Sequence, residues 1–395
     1  MPWPLDSGGH LRTFHLLRAL AKRFEVHLLA PSGTSDDSAG GALRSAGIHA
    51  HPTNGRARPP LRDAFKVVSS RLRGRPYFMY ARHDYAGTRD DVRRFCEREH
   101  PSVLYLDHLD ALNYAECCAG ALKVLDLHNI YSLIADRAAE SRTGLARWYL
   151  RGEAALLRAA EREASTRPDI LFAVSDQERE YYQAHGHRPV HLIPNGVDCD
   201  AYDALPEGRT GDPLILYLGS MSWPPNAEAA LFLANEVLPL VRRRVPGARL
   251  RIVGRNPPAE VRSAAADGVE VTGGVESVIP HLREAALLAV PLEAGGGTRL
   301  KILEALAAGL PVVSTPIGAE GLDVTDGEHL LVATREQFAE STVRLLDDRN
   351  VGIRLARNGR AAVRQRYDWT AIGRKAADAI TAGLQSEYAL RSQSR

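Results

Sequence analysis

The feature that most constrains this chain is an alternation, sustained from one end to the other, of short apolar runs with segments of helical period. The runs are "EVHLLA" (25–30), "SVLYLD" (102–107), "KVLDL" (123–127), "ILFAVS" (170–175) and "VHLIP" (190–194). After residue 210 follow "LILYLG" (214–219), "RLRIVG" (249–254), "VEVTG" (269–273), "LLAVP" (287–291), "PVVST" (311–315) and "HLLVA" (329–333). Between them lie helical patterns such as "RTFHLLRALAKR" and "NAEAALFLANEVLPLVRRR". A short apolar run bounded by turn residues reads as a buried strand, and a period near 3.6 residues reads as a helix packed on it. Strands joined through helices run parallel, and a parallel sheet needs helices on both faces. The expected class is α/β, built of doubly wound Rossmann-like sheets.

At 395 residues the chain is long enough for two such domains. The stretch "PNGVDCDAYDALPEGRTGDP" (194–213) is rich in Pro, Gly and Asp and has no sustained period, so the break falls there. The expected division is an N-terminal domain over 1–198, a linker over 199–212, a C-terminal domain over 213–366 and a C-terminal helix and tail over 367–395. The tail "RSQSR" is expected to be disordered. Gly8 and Gly9 precede a helical segment as if closing a strand-to-helix turn, yet "MPWPLDS" is no strand. The first strand of the N-terminal domain is therefore expected to be missing, through a start placed too late or a truncated sheet.

A formal net charge of +2 gives no footprint for a nucleic-acid binder. The four cysteines form no CxxC and no metal-like pairing with histidine, so they read as reduced thiols, and no metal site is expected. No apolar run approaches the roughly 20 residues that span a bilayer, and the N-terminus lacks the pattern of a signal peptide. A cytoplasmic protein is expected.

The densest constellation is "EAGGGTRLKILEALAAGLPVVST" (293–315). It follows a strand, so it lies at the carboxyl edge of the second sheet, where doubly wound folds bind ligands. Gly295, Gly296 and Gly297 let a ligand approach the backbone. Thr298 is suited to cap the helix, leaving amides at the positive end of its dipole, and Arg299 and Lys301 add charge there. That is a cradle for a phosphate or diphosphate. Glu304, about a turn further in, is a good acceptor for the two hydroxyls of a ribose. Together they point to a nucleoside diphosphate.

"PLEAGGGTRLKILEALAAGLPVVSTPIGAEGL" resembles the donor-binding motif of family 4 glycosyltransferases of the GT-B fold. The resemblance extends through "DSGGHLRTFHLLRALA", "VLDLHN", "AVSDQEREYY", "HLIPNGVD", "YLGSMSWPPN" and "LRIVG". It implies two Rossmann-like domains, a nucleotide sugar held mostly by the second, and glycosyl transfer with retention and no obligatory metal or other cofactor. Glu304 stands where the family's ribose-binding glutamate does. The resemblance also assigns Gly219 and Ser220 to the donor side, Gly8 and Gly9 to a loop against donor phosphate or acceptor, and His128 to a hydroxyl of the transferred sugar. Two departures stand out. The family's first motif glutamate falls on Gly296, and the cations usual after the second domain's first strand are replaced by "GSMSWPPN". Arg299 and Lys301, helped by Arg255, are expected to supply that charge, and with it the catalytic stabilisation of the leaving diphosphate.

Asp107 and His108 close one strand and Asn129 follows another, and these three are read as orienting an acceptor, a saccharide or a lipid-linked one. Ser175 and Glu178 form an S-x-x-E capping box and are read as structural. Segment 56–82 carries eight Arg or Lys against one Asp, interleaved with aromatic and β-branched residues. It reads as a contact for an anionic membrane surface, a solvated basic face, or a grip on an anionic acceptor. Competing readings are a GT-B-like epimerase or hydrolase and a non-catalytic partner in polysaccharide assembly. A dinucleotide dehydrogenase is disfavoured, since no G-x-G-x-x-G follows a strand.

Overall fold

The structure is a computed structural model that describes residue 2 and residues 8–31, 37–55, 60–140, 142–206, 212–266, 268–294 and 299–393. It divides into two compact units, Met1–Pro194 with Ile372–Arg395, and Asn195–Ala371.

The second unit holds β7 (Leu214–Leu218), β8 (Arg249–Val253), β9 (Val269–Gly273), β10 (Leu287–Val290), β11 (Val312–Ser314) and β12 (Leu331–Val332). Their spatial order is β9-β8-β7-β10-β11-β12, all parallel, which is the doubly wound order with its switch point between β7 and β10. Every residue of β7 and β10 is buried. Helices cover both faces of the sheet, which is why these strands read as unbroken apolar runs rather than as alternation.

The helix Leu300–Ala307 shows how the sequence sets the site. Ile302, Leu303, Ala305, Leu306 and Ala307 face the core, so the helical period leaves Lys301 and Glu304, three apart, together on the remaining face. The helix ends where Gly309 turns left-handed at φ 66°. Gly309 N–H bonds the Leu306 carbonyl and Leu310 N–H the Ala305 carbonyl, both at 2.9 Å, a Schellman closure. Pro311 then forbids further helix and the chain enters β11.

In the first unit β1 (Val26–Pro31) pairs in parallel with β2 (Ile48–Thr53). A separate sheet has the order β3 (Val103–Asp107), β4 (Leu122–Leu127), β5 (Ile170–Ala173), β6 (Val190–Leu192), again all parallel. Among the described residues no strand precedes the Gly8–Leu20 helix, and no strand joins β1 to β3. In the second unit β7 occupies the corresponding central place.

Three boundaries differ from the sequence reading. The second unit starts at Asn195, and Val197, Cys199, Tyr202 and Leu205, expected in the N-terminal domain's last residues and the linker, are buried in its core. The last helix runs Trp369–Gln393, through most of the expected disordered tail. From Ile372 it belongs to the first unit, where a Cβ on Gly383 would meet Ile170 Cδ1 at 2.6 Å, so glycine sets how closely helix and strand approach. The strand β2, "IHAHPT", has no counterpart in the expected set. The four cysteines are buried free thiols. Among the described residues no helix is long and apolar enough to cross a membrane.

Candidate active site

Two polar clusters lie at the carboxyl ends of strands, one in each unit. In the second unit β7 runs into Gly219 and Ser220. A side chain on Gly219 would meet the Asn226 amide at 2.8–2.9 Å, so glycine is what lets that amide approach the strand end. Asn226, 6% exposed in the first turn of the Pro224–Phe232 helix, donates from Nδ2 to the Ser220 carbonyl at 2.8 Å. Its Oδ1 accepts from Tyr217 O–H at 2.9 Å and from Lys301 Nζ at 2.8 Å. The Lys301 ammonium also lies 4.6 Å from the centre of the Tyr217 ring.

Glu304, on the same face as Lys301, accepts from Tyr202 O–H at 3.4 Å. Burial pushes the Lys301 ammonium down to about 7, assisted by the nearby Arg299 charge and opposed by Glu304. Burial pushes the Glu304 carboxyl up to about 7, opposed by the Tyr202 hydrogen bond and by Lys301. Burial thus moves the two groups in opposite directions at one sheet edge, the kind of perturbation that makes them candidates for a functional site.

Arg299 occupies the helix cap position in place of Thr298, without a side-chain cap bond. It is 5% exposed and directs Nε and a terminal nitrogen at the Ile317 carbonyl, 3.3 and 3.1 Å away. Lys301 is thus the cation that reaches the end of β7, whereas Arg299 braces the turn after β11. The Arg255 carbonyl accepts from Met221 N–H at 2.9 Å and anchors the loop after β7. Gly295, Gly296, Gly297 and Thr298 lie outside the described residues.

In the first unit Asp107 and Asp126 are register partners at the ends of β3 and β4. Asp126 is wholly buried and takes a bidentate grip from Arg12, Nε to Oδ2 at 3.0 Å and a terminal nitrogen to Oδ1 at 2.5 Å. Tyr105 O–H adds a bond at 2.6 Å, and Arg12 also reaches the Pro194 carbonyl at 3.1 Å. Burial alone would raise the Asp126 carboxyl, but Arg12 and His128 hold it at about 2. Asp107 accepts from Thr13 O–H at 2.7 Å, and its other oxygen lies 2.9 Å from His128 Nε2 and 3.2 Å from His108 Nδ1. Burial opposes the His128 charge, yet Asp107 and Asp126 outweigh it and raise the imidazole to about 9. Against the same burial, His108 and His128 hold Asp107 well below the usual carboxylate range.

His108 sits at φ 73°, ψ 162°, a region that essentially only glycine adopts. Its ring centre lies 3.6 Å from that of His128. Gly9 faces it, and a Cβ there would come to 3.4 Å from His108 Nε2. Gly8, beside it, is the exposed first residue of the helix. Asn129 does not join this group through the contacts it makes, giving its carbonyl to Tyr182 O–H at 3.3 Å. Among the described residues Asp107, His108 and His128 are the group whose donor atoms, within 4.8 Å of one another, would suit a cation. Asp107 Oδ1 lies within ion-pair distance of both imidazoles, yet neither it nor His128 Nε2 completes a hydrogen bond. Ser175 caps its helix as expected, accepting from Glu178 N–H at 3.3 Å, while the Glu178 carboxylate accepts from Val174 N–H, one residue before the cap, at 2.9 Å.

The sequence reading brought out Lys301, Glu304, Asp107, His108 and His128, but missed Arg12, Tyr105, Asp126, Tyr202, Tyr217 and Asn226. Two strands that both end in Asp were the available signal for the first three, since adjacent buried acids require a cation. For Tyr202 the expected linker hid the residue.

Residues 7–201 match the family described as Glycosyltransferase Family 4, and residues 212–348 match that described as Glycosyl transferases group 1. A phosphatidyl-myo-inositol mannosyltransferase of Mycobacterium tuberculosis is 31% identical over 220 residues, 51% of this chain and 56% of that one. The chain thus spans about half the length of the curated relatives it matches first. An uncharacterised protein of the cps region of Klebsiella pneumoniae is 23% identical over 93% of this chain and 94% of its own. Among solved structures, HepE of Anabaena with UDP and glucose superposes with a TM-score of 0.67 at 18% identity, over 95% of this chain and 96% of that one. The chain belongs to the family 4, group 1 glycosyltransferases and has their two-domain GT-B fold.

Proposed function

We propose that the chain moves a sugar from a nucleotide diphosphate sugar to a saccharide or lipid-linked acceptor, with retention at the anomeric carbon, in the synthesis of a surface polysaccharide or glycoconjugate. The observation that carries this reading is the placing of Lys301 and Glu304 on one helix face at the switch point of the second sheet. The ammonium suits a diphosphate and the carboxylate a ribose. Charge grows on the diphosphate as the glycosidic bond breaks, and Lys301 at the end of β7 is placed to stabilise it. Arg299 holds the turn that follows β11 and adds positive potential. No side chain described at the donor cluster is a free carboxylate suited to a covalent intermediate, which favours transfer on one face with a donor phosphate oxygen taking the acceptor proton.

In the first unit, the protonated His128 is read as a donor to a sugar hydroxyl, with Asp107 and His108 orienting the acceptor and Asn129 bordering them. No metal is invoked. The mannosyltransferases among the relatives, one of them GDP-mannose-dependent, and the cps-region protein support a sugar nucleotide donor and a surface glycan. The test is mass spectrometry of UDP- and GDP-sugars incubated with the protein, with and without saccharide or phosphoinositide acceptors. Acceptor-dependent release of nucleoside diphosphate supports the reading. Epimerised or hydrolysed donor without any acceptor requirement overturns it.

The protein is read as cytoplasmic with a peripheral membrane contact. The Pro60–Leu72 helix exposes Phe65, Val68 and Leu72 at 74%, 58% and 84%, a single stripe at helical spacing. Arg71 ties it to the next exposed apolar residues, its guanidinium 4.9 Å from the Trp148 ring, and Leu145 lies one turn from Trp148. Vesicles containing anionic lipid should retain the protein in a salt-sensitive way, and Phe65→Ser/Leu72→Ser should release it. Equal partitioning of both forms would remove this contact.

A further inference from the structure

We infer that Asn226 is the positioning residue for the donor diphosphate: it holds the Lys301 ammonium at the end of β7, where the chain's own β7–helix turn carries no cation. The inference rests on the donor-site reading above. Between β7 and the helix that follows, the sequence "GSMSWPP" offers hydroxyls, an indole and prolines but no positive side chain. Charge reaches it from the helix after β10, through Lys301, whose Nζ donates to Asn226 Oδ1 at 2.8 Å and, more weakly, to the Tyr217 hydroxyl at 3.4 Å.

The amide is itself fixed from three sides. Its Nδ2 is committed to the Ser220 carbonyl, which settles the orientation and leaves Oδ1 as the acceptor facing Lys301. Tyr217 O–H shares Oδ1, and the tyrosine ring lies beneath the ammonium. Gly219, which has no Cβ, leaves the space that the amide occupies. Such a satisfied buried network holds one geometry, whereas a lone lysine samples many rotamers.

The choice of a neutral acceptor is the informative part. Among the described residues Lys301 has no ion-pair partner, and Glu304 acts on it only at a distance. A carboxylate in place of Asn226 would orient the ammonium equally well but would also neutralise it. An amide orients the charge and leaves it for an incoming anion, and the remaining donor capacity of the ammonium is then available to a phosphate oxygen.

The test is binding of UDP, GDP and inorganic pyrophosphate by calorimetry to wild type, Asn226→Ala, Asn226→Asp, Lys301→Met and the double variant Asn226→Ala/Lys301→Met. Near-ultraviolet circular dichroism confirms folding of each. Asn226→Ala is expected to weaken the diphosphates about tenfold, and Asn226→Asp by more, with the deficit of the Asp variant shrinking at acid pH. The groups facing the ammonium that bear on this profile are Arg299, Glu304 and Tyr217. In the Lys301→Met background the loss caused by Asn226→Ala should vanish. An Asn226 effect of the same size in both backgrounds would mean a structural role only and overturn the inference. So would unchanged binding in folded Asn226→Asp. If Lys301→Met binds the diphosphates as wild type does, or wild type binds none of them, the donor-site reading itself fails. If Lys301→Met weakens them and the Asn226 variants do not, this inference alone fails.

Discussion

Asp107 and Asp126 stand side by side as register partners at the ends of β3 and β4, one gripped by histidines and the other by a buried arginine. Two carboxylates at adjacent strand ends repel and cost desolvation, so their cations are part of the fold rather than an ornament of the surface. Arg12 arrives from the first helix and His128 from the end of β4, which locks helix and sheet together at the place where acceptor chemistry is proposed.

Arg12→Met should therefore lower stability by about 3–5 kcal/mol, because it leaves Asp126 charged and without its bidentate partner. Chemical denaturation measures this. Adding Asp126→Leu should recover much of the loss, since an apolar pair of similar volume is tolerated where an unpaired charge is not.

The His128 charge gives a pH signature. Its folded value of about 9 lies above the ordinary 6.5, so its contribution is complete below about 6.5 and fades as pH rises through about 9. Asp126 has the opposite sign, its folded value of about 2 lying below 3.8, and its contribution is lost only as pH falls through about 2. Denaturation of wild type and His128→Gln between pH 6 and pH 10 should show a stability gap that narrows toward the alkaline end. A gap independent of pH would mean that His128 is neutral in the fold.

Chelation separates charge pairing from metal binding at the same residues. With Asp107 and the two histidines paired, EDTA is expected to leave activity and melting temperature unchanged. Loss of activity with EDTA and its return with zinc would reassign Asp107, His108 and His128 as a ligand set.

Tyr202→Phe should weaken nucleotide binding two- to fivefold near pH 7. The tyrosine hydrogen bond favours the ionised form of Glu304, and without it the carboxyl rises further above about 7. The ratio of variant to wild-type dissociation constants, measured by calorimetry, should approach one above pH 8.5. A ratio that stays constant would make Tyr202 a packing residue.

Much of this was legible in the sequence, for definite reasons. β7 and β10 read as strands because burial on both faces makes them continuously apolar, and Lys301 and Glu304 stood out because they are the charged residues of an otherwise apolar helix. β2 was illegible because "IHAHPT" puts histidines and a proline where apolar residues are sought. His27, His49 and His51 stack across the β1–β2 pair, with ring centres 5.1 and 5.2 Å apart, and serve there as flat packing surfaces. Asn226 was hidden for another reason. A residue that acts by holding a lysine 75 positions away leaves no local pattern. The same holds for Arg12, whose carboxylate partner lies 114 positions on.

The most direct test of the central claim is a thermal-shift panel of UDP, GDP, ADP and CMP on wild type and Glu304→Ala. Ligand at 100 times its dissociation constant stabilises by about 2.7 kcal/mol, a readily measured shift. One nucleoside diphosphate should raise the melting temperature of wild type and fail to do so in the variant. No shift with any of them, or an equal shift in both proteins, would contradict a nucleotide seated on Lys301 and Glu304.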